Sequence, residues 1–540
     1  MQNNSTVSYP YTHTNKAGAP SFRRPPKEEL VRVLTCGTGG NTYYASGQEV
    51  QDSAMQVIKW FAKTDPRFLA QALIYAREKG LMRDLPARGL AVLSGASRVY
   101  FEAAFNRVVR IPSDLITFVE MVRSGSATGK KSFGGCRVKA VADWFTGLSE
   151  YHAIKYAAHT VEKDRLNLRK ILQLSHPKAE DAATFERLGW VARGWRWIGE
   201  HPSPTNPKIW ALERLKRTVD EAEVIRLVTE FGLPFESVVP AVSKMTPGIW
   251  EALLKNAPYF NLLRMLNTFQ KNGLFKNPEL VEYVAKFLAD PGRVKRSKLF
   301  PFRFKSAHEA YTREEGYSRK IAEAITTALD LSFACMPDFP HGTKVCVSPD
   351  VSGSMGGMLG GSWRNPAAVG SYTYVDIAGI IAGALAKKAG SDCLVLPVDT
   401  RLHHPQFSVT DSLMTIARHI AGFGGGGTSL SLPVEHLLDR KVKVDVYIGI
   451  TDSEEWAYGH GYYARSSWYN AWQEYRRVVN PKAQAVVITL DPGSSAVAPV
   501  WDDSVHFVYG WSESVISFIP LAMQDGASQL AAVEAIEMPD

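Results

Sequence analysis

The sequence predicts two domains of different class, an all-α helical-repeat domain followed by a doubly wound α/β domain, and three observations carry that reading. The chain has 540 residues, more than the roughly 250–300 that one hydrophobic core usually holds. From Ala54 to about Asp338 apolar residues recur at spacings of three and four, the period of amphipathic helices. After Pro340 short β-branched runs alternate with helical stretches, the pattern of βαβ units and a mostly parallel sheet. The divisions that follow are an extended arm over 1–25, the helical domain over 26–340 and the α/β domain over 341–540.

Composition narrows the function classes. A hydrophobic fraction of 45% describes a soluble globular chain. The opening MQNNSTVSYPYTHTN has no apolar core, so it is neither a secretory signal nor an anchor, and the uncharged apolar run 377–386 is too short to span a bilayer. Both point to a cytoplasmic protein. Cys36, Cys136, Cys335, Cys346 and Cys393 are odd in number, scattered and never in a CxxC pair. They read as reduced structural thiols, against a disulfide framework or a zinc ribbon. The net charge of +8 is uneven: residues 1–340 hold 49 Lys plus Arg against 34 Asp plus Glu, and residues 341–540 hold 13 against 20. A basic first part suits a polyanion, because cations at phosphates release counterions; a dispersed solvated charge is the alternative.

Taken in order, residues 1–25 are rich in Asn, Ser, Thr, Pro and Tyr without a period and predict an extended arm. A short helical pattern follows and breaks at Gly37, Gly39 and Gly40; GTGG does not follow a strand, which argues against a phosphate cradle. The helical region is punctuated by Gly and Pro, as in DLPARG, RIPSD, HPSPTNP, GLPFES and NAPYF. Many medium helices with short breaks predict helix pairs stacked into a solenoid, each pair burying its face on its neighbours; without a rigid period, an irregular helical domain competes.

Basic residues cluster three times in this region. Lys130, Lys131, Arg137 and Lys139 form the first cluster, and Lys163, Arg165, Arg169, Lys170, His176 and Lys178 the second. The third holds Arg293, Lys295, Arg296, Lys298, Arg303 and Lys305. Interleaving with Phe133, Phe300, Phe302 and Phe304 would pair phosphate contacts with base stacking, as single-stranded nucleic acid favours, although phenylalanines at such positions also serve as core.

In the α/β half the predicted strands are 344–348, 393–398, 444–450, 483–490 and 505–509, and the predicted helices 372–388, 411–421, 432–440, 468–478 and 512–522. The stretch VCVSPDVSGSM delivers Asp350, Ser352 and Ser354 to the end of the first strand. One carboxylate and two hydroxyls at alternate positions suit a hard cation such as Mg²⁺, which keeps several waters; a hydrogen-bonded serine turn is the other reading. GGGGTSL adds Thr428, and VDVYIGITDSEE adds Asp452 at the end of another strand. In an open parallel sheet ligands gather outside the carboxyl ends of the strands, so all five can converge. Two long loops, GGMLGGSWRNP and EEWAYGHGYYARSSWYNAW, follow the two aspartates and would overhang the site as a partner surface or as plain connections.

These five positions resemble the metal-ion-dependent adhesion site of a von Willebrand factor A domain, DxSxS followed by a Thr and an Asp. A second resemblance lies upstream. LTCGTGGNTYY, FGGCRVKAVADWF, LRKILQLSHPK and the stretch 239–274 are similar to the TROVE module of the Ro ribonucleoprotein family, in the right order, and the match looks like a bacterial Ro ortholog. The resemblance implies a ring of HEAT-like helical repeats joined to a Rossmann-like A domain. It implies a non-enzymatic protein that binds small noncoding Y-like RNA outside the ring and single-stranded 3′ ends of misfolded RNA in its hole, with an exoribonuclease as partner. Carried onto this sequence, Arg137, Lys139, Arg169, Lys170, His176 and Lys178 become RNA contacts. Lys130, Lys131, Arg293, Lys295, Arg296 and Lys298 are added on charge. Proline at 177 departs from the leucine of the animal proteins and predicts an extended His176.

Three functions compete on these residues. An RNA-binding scaffold uses both domains; a metal-dependent adaptor would recruit proteins through the A domain but has no need of the basic first part. A metal-dependent hydrolase is disfavoured because Asp350 lacks a nearby general base or a second carboxylate pair, leaving only Asp452, Glu454 and Glu455. No heptad seam predicts an oligomer, so the chain reads as a monomer.

Overall fold

The computed structural model describes residues 13–37, 45–127, 129, 131–157, 166–194, 196, 205–299, 301–333, 338–359, 372–456, 465–491, 494–510 and 528–539. Lys130, Lys163, Arg165, Phe300, Cys335, the helix expected over 512–522, most of the first long loop and residues 457–464 of the second lie outside the described residues.

From Pro26 to Ser332 every described regular element is a helix. The prolines that punctuate the sequence are helix starts: Pro26, Pro66, Pro112, Pro207, Pro247, Pro278 and Pro291 all sit in first turns, where a missing N–H costs nothing. Polar caps mark helix starts with and without proline. Asp65, Ser97, Asn167, Asp181, Thr246 and Asp290 each accept from a backbone N–H of the first turn, and Ser46 with Glu49 closes a capping box. The helices pack on near neighbours in sequence: Asp84–Ala96 on Pro112–Ser124, Glu221–Phe231 on Pro247–Asn256, and Pro278–Leu288 on Arg319–Ser332. This is the stacked helical-repeat architecture that the spacing predicts. No helix among the described residues is long and apolar enough to cross a membrane.

Ten strands are described: β1 (His13–Thr14), β2 (Pro20–Arg23), β3 (Val345–Pro349), β4 (Met358–Leu359), β5 (Tyr372–Thr373), β6 (Cys393–Val395), β7 (Val446–Thr451), β8 (Gln484–Thr489), β9 (Ser495–Ala496) and β10 (Val505–Tyr509). Five build a sheet of order β10-β8-β7-β3-β6 in which every pairing is parallel. β3, β7 and β8 are buried almost throughout, which is why their sequences read as continuous apolar runs rather than as alternation. The thiols of Cys36, Cys136, Cys346 and Cys393 are free.

Both ends of the helical domain are fastened to the α/β domain. At the start, β2 pairs antiparallel with β9, so the described part of the arm is docked as a strand. Arg24, buried, donates from Nη1 to Tyr509 Oη at 2.6 Å and from Nε to the Ser495 carbonyl at 3.0 Å, and its guanidinium lies over the rings of Phe507 and Tyr509. Arg32 is fully buried and donates to the carbonyls of Asp491 (2.5 Å), Ser495 (2.9 Å) and Asp452 (3.4 Å). At the other end Lys305 bridges Glu309 and Asp376 at 2.6 and 3.0 Å, and Asp330 accepts from the Leu413 N–H at 2.7 Å. The α/β domain thus contacts both the first and the last described helices of the stack.

The phenylalanine alternatives are decided for the core, and one expectation, that for His176, needs correction. Phe302 and Phe304 are 5% and 0% exposed, packed in the core rather than presented for stacking, because the helix Pro301–Thr312 turns that face onto its neighbours. His176 is not extended. It caps the helix Leu168–Ser175 in the left-handed region, φ 47 and ψ 54, with its N–H donating to the Leu172 carbonyl at 3.0 Å; the helix end outweighs the constraint from Pro177.

Candidate metal centre and nucleic-acid interface

β3 and β7 run side by side and end level, Pro349 opposite Ile450, which sets Asp350 and Asp452 at the same edge of the sheet. Both are buried, with Ser352, Ser354 and Thr428. Asp350 Oδ1 accepts from the Ser352 N–H at 2.9 Å, its Oδ2 from the Thr451 hydroxyl at 2.7 Å, and the two serine Oγ atoms lie 3.1 Å apart. Asp452 Oδ1 accepts from the Glu454 N–H at 3.1 Å.

The glycine loop is sewn to this turn through the backbone. Gly425 N–H donates to the Val351 carbonyl at 3.0 Å, and Gly353 N–H to the Gly426 carbonyl at 2.8 Å. Gly424 has φ +91, and a Cβ there would lie 1.9 Å from the Val351 carbonyl oxygen. Only glycine fits so close an approach. Thr428 follows, buried, its carbonyl accepting from the Trp456 N–H at 3.1 Å.

Burial pushes the Asp350 carboxyl well above the usual carboxylate range, and the neighbouring Asp452 adds to it. Asp452 is raised too, first by burial. Glu454 is pushed up to about 7 by burial and then by Asp452, while Glu455, also raised by burial, is spent on accepting from the backbone N–H groups of Trp468 and Ser431. Two buried carboxylates that reach hydroxyls and N–H groups but no Lys or Arg side chain among the described hydrogen bonds and ion pairs are costly to ionise together. A donor set of two carboxylates and two or three hydroxyls, all hard oxygens, fits a divalent cation that would offset this repulsion.

Three positioning residues escape sequence reading. Asp399, four residues after β6 and buried, accepts from the Arg401 N–H at 2.8 Å and the Gly426 N–H at 3.3 Å, and lies 3.0 Å from His403 Nε2; it orients the glycine loop. Its place just beyond a strand end was the available signal. Lys16 N–H donates to Glu454 Oε2 at 2.7 Å and Arg32 bonds the Asp452 carbonyl, contacts across more than four hundred residues that no local pattern encodes.

The basic clusters divide by environment. Arg137 is an anchor: Nε donates to Ser94 Oγ at 2.8 Å and Nη2 to the Ser94 carbonyl at 3.2 Å, fixing the start of the helix Cys136–Thr146. Lys139 pairs with Asp143 at 2.6 Å on an exposed surface. Lys131, Arg169, His176 and Lys178 are exposed and Lys170 half-buried. The helices Cys136–Thr146 and Leu168–Ser175 pack on one another, so the first two clusters are neighbours. Arg293, Lys295, Arg296 and Lys298 are exposed around the helix Pro291–Ser297, which packs elsewhere, on Tyr259–Lys271, Pro278–Leu288 and Arg319–Ser332.

Comparison with known proteins matches both halves. A family model of the TROVE domain covers residues 28–225 and 237–337, and one of the Ro60 vWA domain covers 344–520. This chain belongs to the Ro family. Relatives within it include the RNA-binding protein RO60 of Deinococcus radiodurans, 24% identical over 82% of this chain and 83% of that protein. The RNA-binding protein RO60 of Caenorhabditis elegans is 20% identical over 82% of this chain and 80% of its own. The telomerase protein component 1 of Mus musculus is 23% identical over 55% of this chain but only 13% of that protein. The crystal structure of the Deinococcus radiodurans RO (RSR) protein shares the fold, with a TM-score of 0.66 at 19% identity over 92% of this chain and all of that one. The Ro family thus accounts for an all-α repeat domain preceding an A-type sheet, as the spacing of the sequence predicts.

Proposed function

We propose that the protein is a non-catalytic RNA-binding scaffold: the helical domain holds RNA, and the A domain holds a divalent cation, most simply Mg²⁺. The observation that carries the reading is the adjacency of the first two basic clusters on a domain of the TROVE family, whose relatives are named RNA-binding proteins. Exposed Lys131, Arg169, His176 and Lys178 would neutralise phosphates, with Lys170 beside them; Arg137 would shape that surface from below rather than touch RNA. The finer reading is a structured, Y-like small RNA on this outer face, single-stranded 3′ ends of misfolded RNA in the hole of the ring, and an exoribonuclease that works on the bound RNA in the cytoplasm.

Changing Arg169 and Lys170 together to Ala tests this face. Loss of two phosphate contacts is expected to lower the slope of log K against log salt by roughly 1.4–1.8 and to weaken binding several-fold at moderate salt, with the thermal midpoint unchanged. Equal affinity and slope would remove the surface from the account.

In the A domain, Asp350 and Asp452 would hold the ion with Ser352, Ser354 and Thr428, and a coordination position left open would accept a partner's carboxylate. The ion supplies charge neutralisation and, through that position, attachment; the chain's own groups keep both carboxylates buried and oriented. Its binding is pH-dependent with a definite sign. Both carboxyls are raised above their unfolded values, so the metal-free fold is more stable when they are protonated and loses that stability as pH rises through the raised range. An ion must displace those protons. The rise in thermal midpoint caused by Mg²⁺ is therefore expected to grow between about pH 6 and about pH 8, and a rise independent of pH would contradict the assignment.

A further inference from the structure

The third basic cluster borders a groove of about 630 Å³ formed where the helix Pro247–Asn256 ends, Tyr259–Lys271 begins, and Pro278–Leu288 meets Pro291–Ser297. Its lining combines rings and cations: Phe260, Tyr283 and Phe287 with Lys255, Arg293 and Arg296. Phe260 is 39% exposed although it is a large apolar side chain in the first turn of its helix. The Arg293 guanidinium lies 4.1 Å above the centroid of Phe287, which is itself stacked on Tyr259 at 5.9 Å.

The rings are held in place. Tyr259 Oη donates to the Leu288 carbonyl at 2.6 Å and Tyr283 Oη to the Lys255 carbonyl at 3.3 Å, so a ligand would meet fixed planes. The two guanidinium groups are free to act on that ligand, while the Lys255 ammonium is paired with Glu251 at 2.7 Å. Asp290, the nearest acid in sequence, uses Oδ1 to cap the Arg293 backbone N–H at 2.7 Å. Among the described residues neither guanidinium meets a carboxylate within ion-pair distance, whereas Arg98, Arg107, Arg214 and Arg226 all do. Flat apolar faces beside unpaired guanidinium groups match a ligand with a planar heterocycle and an anionic linkage. A run of acidic side chains would use the cations and leave the rings without a partner.

We propose that this groove is a stacking site for unpaired RNA nucleotides, with a base on Phe260 or on the Arg293–Phe287 pair and a phosphate met by Arg296. It rests on the RNA-binding reading and adds to it a second, separate contact region built from helices on which the first two clusters do not lie. The aromatic partners come from Phe260, Tyr283 and Phe287, and not from the phenylalanines that follow the cluster in sequence.

The test uses the full chain and two probes, a fluorescein-labelled twelve-residue oligouridylate and a blunt RNA hairpin. Phe260→Ala combined with Arg293→Gln removes both stacking faces and is expected to weaken oligouridylate binding by at least ten-fold, since a stacked base contributes about 1–3 kcal/mol, while hairpin binding changes less than two-fold. Arg296→Gln, on an exposed side chain, keeps the fold and is expected to lower the salt slope for oligouridylate by about 0.7. Photocrosslinking of a 4-thiouridine version is expected to mark the peptides holding Phe260 or Tyr283. Wild-type protein that binds oligouridylate no better than both variants, with no crosslink in these helices, overturns the groove and leaves RNA binding standing. Wild-type protein that binds neither probe overturns the RNA-binding reading itself. Variants that lose an aspartate-rich peptide but keep oligouridylate make the groove a peptide site and also overturn the proposal.

Discussion

Arg32→Ala is expected to be the most destabilising single change in the chain, at about 3–5 kcal/mol, the usual loss when one member of a buried charged network is removed. The side chain is fully buried at the seam between the helical and A domains. Burial lowers its pKa to about 10, still far above neutral pH, so it is a charged group in place. Truncation would leave the carbonyls of Asp491, Ser495 and Asp452 without a donor they now share, and the Asp491 carboxylate, 3.9 Å away, without its nearest guanidinium. The expected readouts are a lower thermal midpoint and faster proteolysis of the arm that pairs with β9. Lysine offers a single point charge in place of the planar fork and is expected to restore only part of the loss. A midpoint within one degree or so of the wild type would show that the seam is held by apolar packing instead.

Asp350→Ala is expected to abolish the response to Mg²⁺ altogether. At a hundred-fold excess over its dissociation constant a ligand stabilises the fold by about 2.7 kcal/mol; the variant should gain none of it. Without the ion, the same change removes one of two repelling buried carboxylates, so the metal-free variant is expected to be no less stable than the metal-free wild type. RNA affinity is expected to stay within two-fold, because the exposed cations lie on the helical domain. A variant that still responds to Mg²⁺ contradicts the ligand set. Loss of RNA binding in a folded variant would mean that the seam at Arg32 and Lys16 transmits the state of the metal turn to the helical domain.

What the sequence conveyed, and what it withheld, follows from the range of each interaction. The strand at 505–509 and the helix at 468–478 are found at those same limits because the apolar runs and their flanking breaks are local. The five candidate ligands were legible because parallel strands must deliver their carboxyl ends to one edge, and the turn residues there carry oxygen. The docked arm was not legible. Asn15, Lys16, Arg24 and Arg32 look like ordinary polar residues until the chain returns, more than four hundred residues later, to hydrogen-bond them. The basic clusters were legible as charge but not as environment: Arg137 and Lys305 are tied to neighbouring groups, while Arg293 and Arg296 meet no acid among the described residues. Of their aromatic partners in the groove, Phe260 lies more than thirty residues upstream, and Phe287, six residues before Arg293, belongs to an amphipathic helix whose rings read as core.

The most direct test of the central claim is to crosslink RNA in the native cells, purify the protein and sequence what it carries. The account predicts one abundant small structured RNA together with a spread of RNA 3′ ends. A preparation free of RNA, with no salt-dependent binding to added RNA, would contradict it and leave the A domain as a protein-recruiting module on an inert helical support.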